Sequence, residues 1–211
     1  MRNYFKIAVY CVVLSGFSCV RADDAVSFFR AVNIDDDRTV RQLLGAGFDP
    51  NTRNPQGQVG LFLAMREESP KVATALLAHP AIQIDATTSS DETALMMAAL
   101  RGNLDWTTRL VERGAAVNRM GWTPLHYAAS GPGTAVVRLL LDRGAQIDAP
   151  SPNRSTPLMM AARYGASESA ELLLARGADP KPRNDRALSA ADFARSAGRD
   201  SLAQKLEEAA R

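Results

Sequence analysis

Two pairs of adjacent methionines are the residues whose type and recurrence come nearest to a chemical site in this sequence. Met96-Met97 and Met159-Met160 stand at equivalent places in two similar stretches. Thioether sulfur binds Cu(I), so the pairs could bind a metal or a small ligand in an exported protein. The sequence lacks the short Met-x-x-Met clusters that favour a soft-metal site, and methionine also fills gaps between packed helices. We therefore interpret both pairs as packing residues and keep ligand binding as an alternative.

The other reactive residue types are too few or too scattered to form a catalytic site. The sequence has two histidines, His79 and His126, and no phosphate-binding loop, nucleophile elbow or zinc signature. The acidic run from Asp35 to Asp37 lacks the alternate spacing and the glycine of a calcium loop. Because carboxylates favour helix N-termini, the run predicts the start of a helix. We predict that the protein is not an enzyme and uses no cofactor or metal.

The first 22 residues have the pattern of a secretory signal. Two basic residues precede an apolar run over positions 7–20, and Ala22 is a small residue suited to a cleavage site. The run is shorter than the ~20 apolar residues that span a bilayer. We expect cleavage after Ala22, release of residues 23–211 into the periplasm and no membrane insertion afterwards. Lipid anchoring through Cys19 is an alternative.

Cleavage at that point changes the charge and the redox chemistry of the protein. It removes three of the 25 basic residues and none of the 23 acidic ones, so the net charge changes from +2 to −1. A nearly neutral chain without runs of Lys and Arg offers little to a phosphate backbone, so we expect no nucleic-acid binding. Both cysteines, Cys11 and Cys19, leave with the signal. The exported chain must therefore be stable without disulfides.

A pattern repeated about every 33 residues runs along the rest of the chain. Thr93, Thr123 and Thr156 begin the stretches TALMMAA, TPLHYAA and TPLMMAA, and each threonine is followed 21 positions later by a glycine. Threonine is a preferred helix N-cap, and glycine suits the left-handed residue that ends a helix. Each stretch therefore predicts two short helices with defined ends.

These motifs resemble the ankyrin repeat, whose signature is T-P-L-H-x-A. The resemblance implies an all-α solenoid of about six helix-turn-helix units with projecting interrepeat loops, in a single domain over residues 23–211. The loop before Thr123 is three residues shorter than its counterparts, and Pro132 stands where other units have glycine. The predicted units cover residues 24–51, 52–85, 86–118, 119–148, 149–181 and 182–211.

The resemblance also implies where a partner binds. Ankyrin-repeat proteins generally bind other proteins through a concave surface of first helices and loop tips. Their contacts vary at the residue before the threonine and at the fifth, eighth and ninth positions counted from it. Several of these positions hold Trp, Tyr, Arg or Met, which are enriched in interfaces. We expect Trp106 to be a core residue of a second helix and His126 to form hydrogen bonds between units. The predicted protein-binding residues are Glu92, Met97, Arg101, Trp122, Tyr127, Ser155, Met160, Arg163 and Tyr164, and the same positions include Leu100, Ser130 and Gly131.

The functional expectation is an exported, noncatalytic adaptor that binds another protein as a monomer. Two narrower versions stay open at this point. One is an inhibitor or immunity-like protein that covers a toxin or an enzyme active site. The other is an accessory of a periplasmic oxidative-stress enzyme.

Overall fold

The computed structural model describes residues 22–211 of the chain. Residues 1–21, which include Cys19 and all but the last residue of the predicted signal over 1–22, lie outside the described residues, and the first described helix begins at Ala22. Between residues 22 and 211, no helix has the length and apolar character needed to cross a bilayer.

The described part of the chain forms twelve helices, which follow one another as six packed pairs. It contains no strand beyond an isolated bridge between Arg53 and Val59. The predicted all-α solenoid is confirmed. The first helices of the pairs are α1 (Ala22–Asn33), α3 (Gly60–Arg66), α5 (Ala94–Leu100), α7 (Pro124–Ser130), α9 (Pro157–Arg163) and α11 (Ala190–Ser196). The second helices are α2 (Asp37–Gly45), α4 (Pro70–Leu77), α6 (Leu104–Glu112), α8 (Thr134–Asp142), α10 (Ser167–Ala175) and α12 (Asp200–Ala209).

The core lies between neighbouring pairs, because a helix of seven to twelve residues cannot bury its apolar face alone. Each first helix packs against the first helix of the next pair, from α1 through to α11. Leu95, Leu125 and Leu158 occupy the same place in three successive first helices, and all three are fully buried. Trp106, predicted to be a core residue, is 7% exposed, and the Arg109 guanidinium lies 4.0 Å from the centre of its ring. The stack therefore supplies the stability that single units lack.

The predicted threonine caps are present. The Thr93 hydroxyl accepts the backbone N–H of Met96 at 3.3 Å, and the Thr156 hydroxyl accepts that of Met159 at 3.4 Å. In return, each methionine sulfur accepts the backbone N–H of its threonine at 3.4 Å. Met96 and Met159 are buried, so these two methionines serve as cap partners and packing residues.

Three second helices end at a glycine in the predicted left-handed conformation. The φ angles are +97° at Gly114, +82° at Gly144 and +91° at Gly177. Gly165 is a glycine for a different reason. A Cβ at Gly165 would lie 1.9 Å from the carbonyl oxygen of Ala129 in the preceding unit. The absence of a side chain at Gly165 therefore lets α7 and α9 approach closely.

The acidic run begins a helix, as predicted, and also joins two units. Asp36 is the N-cap of α2, where its carboxylate accepts from the hydroxyl and backbone N–H of Thr39, and these bonds lower the pKa of Asp36. The carboxylate of Asp35 instead accepts the backbone N–H groups of Lys71 and Val72 at 2.9 and 3.0 Å. Asp35 therefore caps α4 in the next unit.

A ladder of hydrogen bonds joins the first five units in succession. A side-chain oxygen of one unit accepts a backbone N–H of the next at 2.8 to 3.1 Å. Burial raises the pKa of Asp148 in this ladder, although the N–H of Asp179 opposes the shift. The acceptor and donor pairs are Asn51 and Gln83, Asp85 and Ala116, Asn118 and Gln146, and Asp148 and Asp179.

Candidate protein-binding surface

Trp122 and Met160 line two cavities on the surface formed by the first helices and the loops between units. The cavities have volumes of about 200 and 480 Å³, and we call them together the inner groove. Leu100, His126, Tyr127 and Ser130 complete the smaller cavity. Asn153, Ser155, Arg163, Tyr164, Asn184, Arg186 and Phe193 complete the larger one.

Four of the loops between units share a tight turn that the loop before Trp122 lacks. In each turn, the N–H of the first residue bonds the carbonyl of the fifth, and the N–H of the fourth bonds the carbonyl of the first. The turns cover residues 54–58, 88–92, 151–155 and 184–188. The shorter loop over 119–122 has no such pair of bonds among those described. Instead, the Arg119 guanidinium bonds the carbonyl and the carboxylate of Asp91, both at 2.7 Å. The short loop is thus tied to the turn of the preceding unit.

His126 lies beneath Trp122 and fixes its surroundings. The two rings meet edge to face, with 5.2 Å between their centres. The Nδ1 of His126 accepts the N–H of Thr123 at 3.2 Å, which leaves Nε2 to donate to the carbonyl of Ser155 in the next unit at 3.0 Å. Burial lowers the pKa of His126 to about 4, so the ring is neutral at pH 7. The predicted structural role of His126 is confirmed.

Tyr127 joins the smaller cavity to the loop of the preceding unit. Its hydroxyl donates to Oε1 of Glu92 at 3.0 Å. Burial and then the Glu92 carboxylate raise the pKa of Tyr127 far above its ordinary value. The hydroxyl therefore stays protonated and keeps this bond at any physiological pH.

Arg163 and Tyr164 form the edge of the larger cavity. The Arg163 guanidinium lies 5.3 Å from the ring centre of Tyr164 and 5.9 Å from that of Phe193, and it bonds the hydroxyl of Ser196 at 3.3 Å. Tyr164 is 55% exposed. Within residues 22–211 no carboxylate lies within ion-pair distance of Arg163.

Three of the predicted contact residues are placed differently from the expectation. Met97 is 8% exposed and Ser155 is 1% exposed, so neither offers its side chain on the free surface. Ser155 lies between its two neighbouring units, where its hydroxyl accepts from the Asn184 amide of the next unit and its carbonyl accepts from His126 of the preceding one. Arg101 is exposed but lies outside the groove, where its guanidinium donates to the carbonyl of Arg66 at 2.6 Å. The expected contact surface is therefore narrower and centres on Trp122, Tyr127, Met160, Arg163 and Tyr164.

The sequence prediction missed Phe193 and Arg186, which belong to the last unit. Phe193 is the fifth residue counted from the Ser189 cap, the same position that Tyr127 and Met160 occupy in their units. The repeat pattern extended to this unit would have named Phe193, which is as buried as Met97 at 8% exposure but, unlike Met97, lines the larger cavity. Arg186 lies at the middle of the 184–188 turn, and only the stack brings it to the groove.

The described residues hold no cluster of three or more His, Cys, Asp or Glu side chains that could bind a metal. The groove instead combines aromatic rings, a thioether and guanidinium groups on rigid helices and closed loops. Such a surface can bury an apolar side chain and pair with a carboxylate. Contacts of these kinds are common in protein–protein interfaces.

Comparison with known proteins agrees with the geometry. The family description "Ankyrin repeats (3 copies)" matches residues 28–120, 82–151 and 117–184. The chain belongs to the ankyrin-repeat family. Neurogenic locus notch homolog protein 1 of Mus musculus is 32% identical over 163 residues, which are 69% of this chain and 6% of that protein. The nuclear factor NF-kappa-B p105 subunit of Gallus gallus is 32% identical over 152 residues, 69% of this chain and 16% of that protein.

The matched segments are only 6% and 16% of these two relatives, which are much longer than this ankyrin-repeat chain. Among solved structures, a chain in the complex of a predatory endopeptidase from Bdellovibrio bacteriovorus with an immunity protein has a TM-score of 0.73 and 24% identity. The match covers 86% of this chain and 97% of that one. The similarity confirms the fold over most of the chain.

Proposed function

We propose that this protein is an exported, noncatalytic adaptor that binds a partner protein through the inner groove and acts as a monomer. One observation carries the proposal. The groove gathers the aromatic rings of Trp122, Tyr127 and Tyr164 with the Arg163 guanidinium on two adjoining first helices, α7 and α9, and their ends. Tyr, Trp and Arg dominate the binding energy of protein interfaces when they are held rigidly at the centre of a contact. Membership of a family of protein-interaction modules supports the same function.

Export is the second part of the proposal. It is supported by the signal pattern in the first 22 residues. The mass of the protein purified separately from the periplasmic, membrane and cytoplasmic fractions tests it directly. A mass that begins at Asp23 supports cleavage after Ala22, a lipid-modified Cys19 supports anchoring, and an intact amino terminus in the cytoplasm contradicts export.

Capture from a periplasmic extract tests the binding function. The purified protein is the bait, beside a Trp122→Ala, Tyr164→Ala double variant. Leu104→Ala is the matched control, because Leu104 is 45% exposed and is the first residue of the second helix α6, outside the lining of the groove. Loss of an interface aromatic costs about 2 kcal/mol or more, so the double variant should bind its partner at least ~30-fold more weakly.

The amount of partner retained is compared among the native protein, the double variant and Leu104→Ala. Retention by the native protein and by Leu104→Ala, with loss from the double variant, is the expected result. Equal retention by all three places the binding site elsewhere. Unchanged circular dichroism of the variants shows that any loss comes from the surface and not from unfolding.

A narrower function is inhibition of a partner enzyme, in the manner of an immunity protein. The similar fold of a chain in a complex of an endopeptidase with an immunity protein favours it. Titrating the captured partner with this protein decides the point. A stoichiometric fall of the partner's activity supports inhibition, whereas unchanged or protected activity supports the adaptor or accessory role.

A further inference from the structure

The inner groove has an apolar end and a charged end. The smaller cavity is walled by Leu100, Trp122 and Met160, together with the ring of Tyr127. Its volume of about 200 Å³ is below the ~300 Å³ at which typical small-molecule sites begin, yet a large side chain fits it. This end of the groove therefore suits one apolar or aromatic side chain of a partner.

The larger cavity carries two guanidinium groups, from Arg163 and Arg186, and its lining contains no carboxylate. Neither arginine has an acidic partner within 4.0 Å among residues 22–211, although Arg163 bonds the Ser196 hydroxyl. Other arginines of the same surface are paired: Arg119 lies 2.7 Å from Asp91 and Arg183 lies 3.4 Å from Asp192. The positive charge at this end of the groove is therefore not neutralised within the described chain.

Arginine is the side chain best suited to hold a carboxylate, because its planar group donates two parallel hydrogen bonds. The contact of Arg163 with the rings of Tyr164 and Phe193 restricts the guanidinium before any partner arrives. A restricted guanidinium loses less entropy on binding, which favours affinity.

We infer that the inner groove binds a partner segment in which a large apolar or aromatic side chain lies within a few residues of one or more carboxylates. The inference rests on the proposed protein-binding function and adds the chemistry of the partner. The apolar side chain fills the smaller cavity beside Trp122 and Met160. The carboxylates pair with Arg163 and Arg186 at the larger cavity. The shared walls of the two cavities place both contacts on one short segment.

Selection of a random dodecapeptide library on the purified protein tests this chemistry without a known partner. The enriched peptides should share an aromatic, Leu or Met residue with Asp or Glu within about three positions. A synthetic peptide of the enriched sequence should bind at least ~10-fold more weakly to an Arg163→Glu, Arg186→Glu variant. The same peptide with Lys in place of its acidic residues should regain binding to that variant.

A matched control carries the same change of charge away from the groove. Lys71→Glu with Arg138→Glu alters exposed residues of the outer helices α4 and α8 and should keep native peptide affinity. Enriched peptides without carboxylates, equal binding by both double variants, or no enrichment at all would overturn the inference. If capture from the extract succeeds while these tests fail, the chemistry is wrong and the binding function stands. If the peptides behave as expected and no partner is captured, the groove chemistry stands and the proposed function fails.

Discussion

Replacing His126 with methionine should remove an acid-sensitive part of the stability of this protein. The two neighbouring units already have methionine at this position, where the sulfur of Met96 or Met159 accepts the N–H of the capping threonine. His126→Met therefore keeps the cap. It removes the titrating ring and the 3.0 Å bond from Nε2 to the Ser155 carbonyl.

The magnitude follows from the pKa of His126, which burial lowers from 6.5 to about 4. Between these two values the unfolded chain binds more protons than the folded one, so the free energy of unfolding falls as the pH falls. The stability contributed by the neutral, buried His126 ring is fully present above pH 6.5. It decreases by about 2 kcal/mol at pH 5 and about 3 kcal/mol at pH 4. The lost hydrogen bond to Ser155 costs the variant about 1 kcal/mol at pH 7.

Urea unfolding followed by far-UV circular dichroism at pH 7.5, 6 and 5 measures the difference. The variant should be less stable than the native protein at pH 7.5 and more stable at pH 5. Most carboxylates stay ionised over this range and are common to both proteins, so they cancel in the difference. His79→Gln shows whether the effect belongs to His126 and not to the other histidine. A difference between native and His126→Met that stays constant within ~0.5 kcal/mol from pH 7.5 to 5 would refute the reasoning.

Three further predictions concern the packing and exposure of single residues. Gly165→Ala should lower the free energy of unfolding by about 3 kcal/mol, because the new Cβ would meet the Ala129 carbonyl. Gly45→Ala is the control: a Cβ there has no atom within 4 Å, so the substitution should be neutral or stabilising by up to ~1 kcal/mol. Urea unfolding of the two variants compares them. Asp35→Ala should cost about 1–2 kcal/mol, because the N–H groups of Lys71 and Val72 lose their acceptor and because alanine resists the φ of +55° at this position; Asp35→Asn should cost less, and equal melting temperatures for the two variants would contradict this account. Peroxide should oxidise Met120, which is 92% exposed, well before the buried Met159, as peptide mass spectrometry can show.

The helices, their caps and the repeat could be predicted because their causes are local. Thr93, Thr123 and Thr156 each bond the backbone three residues ahead, and Gly114 takes the left-handed conformation whatever lies beside it. The same reading placed Trp106 in the core and gave His126 a structural role. Such features need only the spacing of residue types within one unit.

The groove depends on how one unit lies against the next. Ser155 and Trp122 both precede a capping threonine, but the stack places them differently. Ser155 is buried under Asn184. Trp122 lies at the junction of two cavities, in a loop that is three residues shorter. Asp35 caps a helix 36 residues away, and Arg186 reaches the groove from the last turn. The repeat motif itself could therefore be read from the sequence, because hydrogen bonds within one unit produce it. Which of its side chains face a partner was decided by the tertiary structure, because exposure is a property of the neighbouring units as much as of the residue.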